Sequence, residues 1–313
     1  MRRYAVGVDL GGTVIKLGLV SADGMVGTRT FPADSAFGLG PRLPMIEKGI
    51  AELLGQNGLA SEDIAGVGIA FPGLADSTRG IVLSTNAKYD DAPDIDLREW
   101  VKSMSLSGFY IDNDARMAAV GEWKSGAGVD CDNIVMMTIG TGIGCGVIVE
   151  GTVLRGVHHQ AGCLGGHLTV DFRGRKCSCG NTGCLEAMAS SFFLNDIIRC
   201  NTRISPGFYE TNKPFDFRKI FDMARSGDVD AAAVAEECID TWAVGIVNLI
   251  HAYDPERVVV GGGVMRSADI ILPYLRKRVD ELAWTPWGKV EILTSELGDD
   301  AAILGVAHYI MNK

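Results

Sequence analysis

The sequence predicts an α/β protein made of two similar domains, each with a mixed sheet flanked by helices, and a cleft between them. Three observations carry this. Apolar, strand-like runs alternate with helically spaced segments along the whole chain, which is the pattern of α/β folds. Each half opens on a strand, a glycine turn and a second strand, first around "DLGGT" (9–13) and again around "TIGTGIGCG" (138–146). A length of 313 residues leaves room for two cores.

Taken in order, Tyr4–Val8 and Leu17–Val20 read as strands on either side of DLGGT, and Ser21–Gly24 ("SADG") turns the chain into a third. Arg42–Leu54 has helical spacing, and Ile64–Ala70 is an apolar strand that stops at Phe71-Pro72-Gly73. Leu97–Ser105 reads as a short helix. Phe109–Asp114 is a strand delivering two acids and an amide, followed by a helix over Ala115–Lys124. Asn133–Met137 is the strand that enters the second glycine loop, and Ser190–Arg199 reads as helical. Asp228–Tyr253 is a long helix that ends before Asp254-Pro255, since proline cannot continue it. Arg257–Met265 runs as a buried strand into a third glycine loop, and Ala301–Met311 closes the chain as a helix. Without a low-complexity linker, patterning divides the chain into a smaller domain at 1–117 and a larger one at 118–297. The helix at about 298–313 is expected to pack back on the first.

Composition narrows the function. A net charge of −10 argues against a nucleic-acid or acidic-membrane partner, either of which calls for a basic footprint. It does not argue against a small phosphate ligand, which glycine loops bind through backbone N–H groups. No run of 18 to 20 apolar residues occurs, and the N-terminus meets Asp9 before a signal peptide's apolar region would end. The chain reads as cytoplasmic, so its eight cysteines are thiols or metal ligands rather than disulfides.

Five stretches carry chemistry. In "VDLGGTVIKLG" (8–18), Gly11 and Gly12 let backbone N–H groups approach a phosphate, Thr13 adds a hydroxyl, Lys16 a charge, and Asp9 is placed to hold Mg²⁺. A glycine-forced hairpin explains this loop equally well. "TIGTGIGCG" repeats the chemistry with Gly140, Thr141, Gly142 and Gly144, and "GGGVM" (261–265) could receive a nucleotide's adenosine half. None fits the P-loop or Rossmann fingerprint, yet three such loops at strand ends are unlikely to be three independent turns. In "YIDNDARMAAVGE" (110–122), Asp112 and Asp114 lie two apart at a strand end and should point the same way, as phosphoryl transfer to a hydroxyl requires of one of them. The competing reading is a helix N-cap. Finally, "CSCGNTGC" (177–184) with His167 ten residues upstream supplies four ligands for a closed, structural Zn²⁺ site: His167, Cys177, Cys179 and Cys184. A redox pair or free thiols are the alternatives, and cysteines 131, 145, 163, 200 and 238 read as core or incidental.

In this order the motifs resemble the ROK (repressor, open reading frame, kinase) family of sugar kinases, within the actin-like ATPase superfamily. The resemblance spans nearly the whole chain, from "DLGGTVIKLGLV" through "GIAFPGLAD", "GIVLSTN", "DNDARMAAVGE", "TIGTGIGCGVIVEG", "CSCGNTGCLEAMAS" and "VVVGGGV" to "LGDDAAILGVA". It implies two actin-like, ribonuclease H-like domains and an ATP- and Mg²⁺-dependent kinase acting on a hexose hydroxyl, O6, as a homodimer. Asp114 would be the base on the sugar hydroxyl and Asn113 would hydrogen-bond a neighbouring one. Gly73 and Asn86 would line the sugar pocket, with Glu186 and His167 also touching sugar. Gly11, Gly12, Thr13, Gly140, Thr141 and Gly142 would face the phosphates, and Gly261, Gly262 and Gly263 would lie beside the nucleotide. Zinc would hold the Glu186 segment rigid. The family's repressors carry an N-terminal helix-turn-helix, for which a first strand starting at Tyr4 leaves no room.

Three departures stand out. Val14 replaces a common lysine. Arg116 replaces a usual asparagine, which puts a cation close to the proposed base. The pattern A-G-E-x-G-H lacks its sugar-binding glutamate: alignment on His167 puts Leu164 there, and alignment on Ala161-Gly162 puts Cys163 there. Neither replaces a carboxylate, so an atypical sugar or polyol is a rival substrate, with His158, His159 or Gln160 as substitute contacts. A sugar-sensing regulator without catalysis is the rival of another class.

Overall fold

In the computed structural model, which describes residues 4–312, the alternating N-terminal pattern becomes one mixed sheet. β1 (Tyr4–Leu10) pairs antiparallel with β2 (Val14–Ser21), and β2 with β3 (Gly24–Pro32). Helix α1 (Leu43–Gln56) returns the chain as β4 (Ile64–Phe71), parallel to β1. A hairpin of β5 (Gly73–Asp76) and β6 (Ile81–Thr85) and the helix α2 (Leu97–Ser103) then precede β7 (Gly108–Asn113), parallel to β4. Helix α3 (Asp114–Ser125) leaves β7 without a loop. The strand order is β3-β2-β1-β4-β7.

The period-two alternation of a strand gives this sheet two different faces. On one, Val6, Val8 and Leu10 of β1, with Leu17 of β2 and Ile69 of β4, build a core against Ile46, Ile50 and Leu53 of α1. On the other, Gly7, Gly18 and Gly68 are register partners across three strands. The closing helix fills the groove they leave. A β-carbon at Gly7 or Gly18 would stand 2.7 or 2.5 Å from Cγ2 of Ile303, and one at Gly68 2.7 Å from Cβ of Val306. Both belong to the helix Ala301–Met311, which also crosses α3 so closely that a β-carbon at Gly305 would lie 1.9 Å from the Met117 carbonyl oxygen. Gly68→Ala is therefore expected to lower stability by about 1–3 kcal/mol through overpacking, read as an earlier urea midpoint; an unchanged midpoint would mean that this helix is not seated there.

These contacts place the C-terminal helix in the first of two compact units, with residues up to Asp130 and the segment Val153–Ala161. A division at 117/118 would cut α3, which packs against that helix along its length, so the unit runs further than the sequence pattern suggests.

The second unit repeats the plan. β8 (Ile134–Ile139) pairs antiparallel with β9 (Ile143–Val149), which neighbours the short β10 (Thr152–Val153). Short helices α4 (Leu185–Ala189), α5 (Leu194–Cys200) and α6 (Phe208–Asn212) are followed by α7 (Phe217–Arg225) and the long α8 (Val229–Tyr253). Asp228 caps α8 by accepting from Ala231 N–H, and Trp242 in its middle is fully buried. β11 (Arg257–Gly261), α9 (Ala268–Leu282) and β12 (Glu291–Thr294) follow, and the closing helix is α10. The strand order β10-β9-β8-β11-β12, with β11 parallel to both β8 and β12, matches the first sheet position for position. The α/β class and the paired mixed sheets predicted from the two β-turn-β openings are thus present. No described helix is long and apolar enough to cross a membrane.

Candidate active site

The first glycine turn, between β1 and β2, is pinned from behind. Tyr89 donates its phenol to the Gly11 carbonyl (2.8 Å), Ser35 its hydroxyl to that of Gly12 (2.9 Å), and Ala33 its N–H to that of Thr13 (2.9 Å). Fixing each carbonyl fixes its peptide plane, so the turn is set before any ligand arrives. A β-carbon at Gly11 would meet the Val14 carbonyl oxygen at 2.5 Å, which restricts that position to glycine. Gly12 is half-buried and Thr13 exposed.

Asp9, at the end of β1, is half-buried, and its carboxylate takes no hydrogen bond or ion pair from the described residues. Burial, reinforced by the charge of Asp114 and only partly opposed by Lys16, pushes its pKa up to about 7. A carboxylate in this state suits a hydrated divalent cation. Lys16 itself is paired with Asp299 at 3.2 Å.

At the junction of β7 and α3 the structure separates three neighbouring polar residues by role. Asn113, nearly buried, is the helix cap: its Oδ1 accepts from Arg116 N–H (3.0 Å), while its Nδ2 donates to the Gly73 carbonyl (3.1 Å) and to Asp114 (3.0 Å). Asp114 is thereby released from capping, although Asp is a favoured cap residue. It stands on the first turn of α3 with its carboxylate accepting from Ala115 N–H (2.7 Å). Burial raises its pKa above the usual carboxylate range, opposed by the Ala115 N–H and then by the charge of Lys88.

Asp112 does not share the direction of Asp114 as expected. β7 ends at Asn113, and Asp112 is sealed in a cluster where it accepts from Arg116 (2.5 Å), Arg155 (2.9 Å) and the Tyr110 hydroxyl (3.0 Å). The same cluster corrects the reading of Arg116. Its guanidinium, fully buried, is directed to Asp112 and to the carbonyls of His159 and Ala161 (3.0 Å each), which tie down the segment Val153–Ala161. Gly73 opens β5 beside Asn113, and Asn86 is exposed just after β6. His159 lies 3.3 Å from Asp76.

In the second unit, Gly140, Thr141 and Gly142 form the β8–β9 turn. Ser191 and Phe192 donate their N–H groups to the Gly140 and Thr141 carbonyls (3.0 Å each). Glu186, buried in the first turn of α4, accepts from Ile143 N–H (2.9 Å), and its carboxylate covers Gly142, where a β-carbon would lie 2.3 Å from Oε2. Glu186 and the turn are therefore one piece. The third glycine loop lies against the end of β8, since a β-carbon at Gly262 (φ 91°) would meet the Ile139 carbonyl oxygen at 2.3 Å. Gly261 ends β11, and Gly263 begins the turn into α9.

His167, Cys177, Cys179 and Cys184 converge, with their ligand atoms all within 4.8 Å of one another. Cys177 Sγ lies 3.7 Å from His167 Nδ1, and Cys179 Sγ 3.6 Å from Cys184 Sγ. Both separations are compatible with ligand–ligand edges of a tetrahedral site whose bonds to zinc would be about 2.0–2.3 Å, and they are far from the roughly 2 Å of a disulfide. Burial pushes Cys184 up to about 12, the opposite of an activated redox thiol. Cys184 immediately precedes α4, so the quartet fixes the start of the helix that carries Glu186. Cys163 is buried and Leu164 exposed on the turn leading to His167, and no acid occupies either position. Of the remaining cysteines, 131, 145 and 238 are buried and Cys200 is exposed.

The family model described as ROK family matches residues 5–313. The chain belongs to the ROK family. Among ROK relatives, a glucokinase of Thermotoga maritima is 32% identical over 98% of this chain and 97% of its own. A xylose repressor of Bacillus subtilis is 29% identical over 99% of this chain and 77% of its own length. A ROK glucokinase from Streptomyces griseus, solved with glucose and AMPPNP, superposes with a TM-score of 0.82 at 27% identity, covering 99% of this chain and all of that one.

Proposed function

We propose that this ROK protein is a sugar kinase that moves the γ-phosphoryl group of ATP to a hexose-like acceptor at O6, with Asp114 as the general base. One observation carries the reading: Asn113 caps α3 and leaves the Asp114 carboxylate for another task, in the same unit as the orphaned Asp9 and the pinned Gly11–Thr13 turn. The sugar hydroxyl gives its proton to Asp114 as its oxygen bonds to phosphorus. The bond from phosphorus to the ADP oxygen breaks with the electron pair leaving on ADP. Gly11, Gly12 and Thr13 in the first unit and Gly140, Thr141 and Gly142 in the second would offer N–H and hydroxyl donors to phosphates, and Gly261, Gly262 and Gly263 would flank the nucleoside. Asp9 would hold Mg²⁺, which supplies charge neutralisation on the phosphates when bound. Gly73, Asn86, Asn113, Glu186 and His167 would contact the sugar. Asn113 has only an oxygen lone pair left for it, because both amide hydrogens are engaged. His167, Cys177, Cys179 and Cys184 would bind zinc as a structural brace.

Among this chain's relatives there are also xylose repressors, which motivates the sensing reading. ADP release measured over a panel of hexoses, amino and N-acyl sugars and polyols separates the two. Turnover with at least one acceptor is expected, and none with any of them would leave the sensor. Because Cys163 and Leu164 stand where a pocket carboxylate is usual, the preferred acceptor is expected to differ from glucose near the anomeric carbon.

A further inference from the structure

The stretch after β6 carries a lysine that belongs to no motif. Lys88 is flanked by two non-glycine residues in left-handed backbone, Ala87 (φ 52°) and Tyr89 (φ 57°). Such residues persist only where their surroundings over-determine them. Tyr89 supplies that anchoring: it is fully buried, its N–H donates to the Ser35 carbonyl (2.8 Å) and its phenol to that of Gly11 (2.8 Å). Ser35 in turn bonds the Gly12 carbonyl (2.9 Å). The loop is thus fastened to the first glycine turn, directly and through Ser35, by the residue that follows Lys88. The Lys88 side chain lies along Gly12, where a β-carbon would stand 2.8 Å from its Cε and 3.3 Å from its Nζ. No described carboxylate lies within ion-pairing distance of it, whereas Lys16, the cation within the glycine motif itself, is held by Asp299.

We infer that Lys88 binds the phosphoryl group in transit and stabilises the charge on its oxygens, a role that rests on the kinase reading above. During transfer, the sugar oxygen bonds to phosphorus, the bond to the ADP oxygen breaks, and the hydroxyl proton passes to Asp114. In the transition state the charge of the group in transit is spread over its three non-bridging oxygens. An ammonium already fixed beside them acts without reorganisation, and its effect is largest in the transition state.

Lys88→Met is expected to lower kcat by about 100-fold with sugar KM changed by less than about threefold, and Lys88→Arg, which keeps the charge, to recover most of the loss. Lys88 is only half-buried and outside the core, and thermal melts of both variants check that they fold. Wild-type turnover combined with a Lys88→Met kcat within about threefold of it overturns the inference, as does an equal loss in a folded Lys88→Arg. A rise in sugar KM alone overturns it too, because it assigns Lys88 to the acceptor. A wild-type protein that turns over no sugar fails one level earlier, at the kinase reading, and takes this inference with it.

Discussion

Asp114→Asn is expected to lower kcat by about 10²–10⁴-fold, the usual contribution of a positioned general base, while sugar KM stays within a few-fold. The amide keeps the shape of the carboxyl and can still accept from Ala115 N–H, so binding geometry survives where proton abstraction does not. The same variant is expected to melt at an equal or higher temperature. The folded-state pKa of Asp114 is raised by burial, so the wild-type protein is destabilised whenever that carboxyl ionises. Its stability is fully present below the unfolded-state value and lost as pH rises through the raised one. Activity has the opposite sign: the base works only when ionised, so kcat/KM should fall as pH drops through a value above the usual carboxylate range. A variant with near-wild-type turnover would remove Asp114 from the chemistry. One that loses activity and melts well below wild type would instead make it a structural residue.

This pairing of lost activity with kept stability follows from a division of labour that the sequence shows only in part. That a strand ends near residue 113 and a helix begins is legible from alternation followed by helical spacing, and so is the presence of two acids and an amide. Which of the three caps the helix is not, because Asn and Asp are almost equally good caps; the partner that decides it, the Gly73 carbonyl, lies 40 residues away. Arg116 misleads for the same reason. Its spacing puts it near Asp114, yet an i,i+4 partner at Asp112 and carbonyls 43 and 45 residues away claim its guanidinium. Lys16 sits in a phosphate-loop motif but meets Asp299, 283 residues distant. Lys88 has no motif, and its only local signal would be two positive φ angles that no residue type announces. By contrast, the His167, Cys177, Cys179 and Cys184 quartet is readable because three of its members lie within one short loop and their spacing alone nearly brings the four together. The elements missed outright include the β5–β6 hairpin and β12, strands of 4 or 5 residues that are too brief for periodicity to declare, and the nine-residue helix α7.

Chelating the zinc proposed for the quartet is expected to raise sugar KM by about 10–100-fold, the size of effect that loss of outer-shell support has on metal affinity or activity, with a smaller change in kcat. The reasoning is positional. Cys184 is the residue before α4, and Glu186 on the first turn of that helix accepts from Ile143 N–H and packs on Gly142. Freeing the cysteine end of this lever loosens both the carboxylate proposed to hold a sugar hydroxyl and the turn proposed to face the phosphates. Cys184→Ser should reproduce the effect of chelation and abolish the roughly one equivalent of zinc that metal analysis of the wild-type protein is expected to find. Since burial holds Cys177 and Cys184 in their protonated forms without a metal, zinc must displace protons to bind. Its affinity should therefore fall as pH is lowered, and chelation should be easier at acidic pH than at neutral pH. A zinc-free protein with normal sugar KM would sink the brace. A zinc-free protein whose kcat collapses while KM holds would show instead that the quartet supports the phosphate turn and not the sugar.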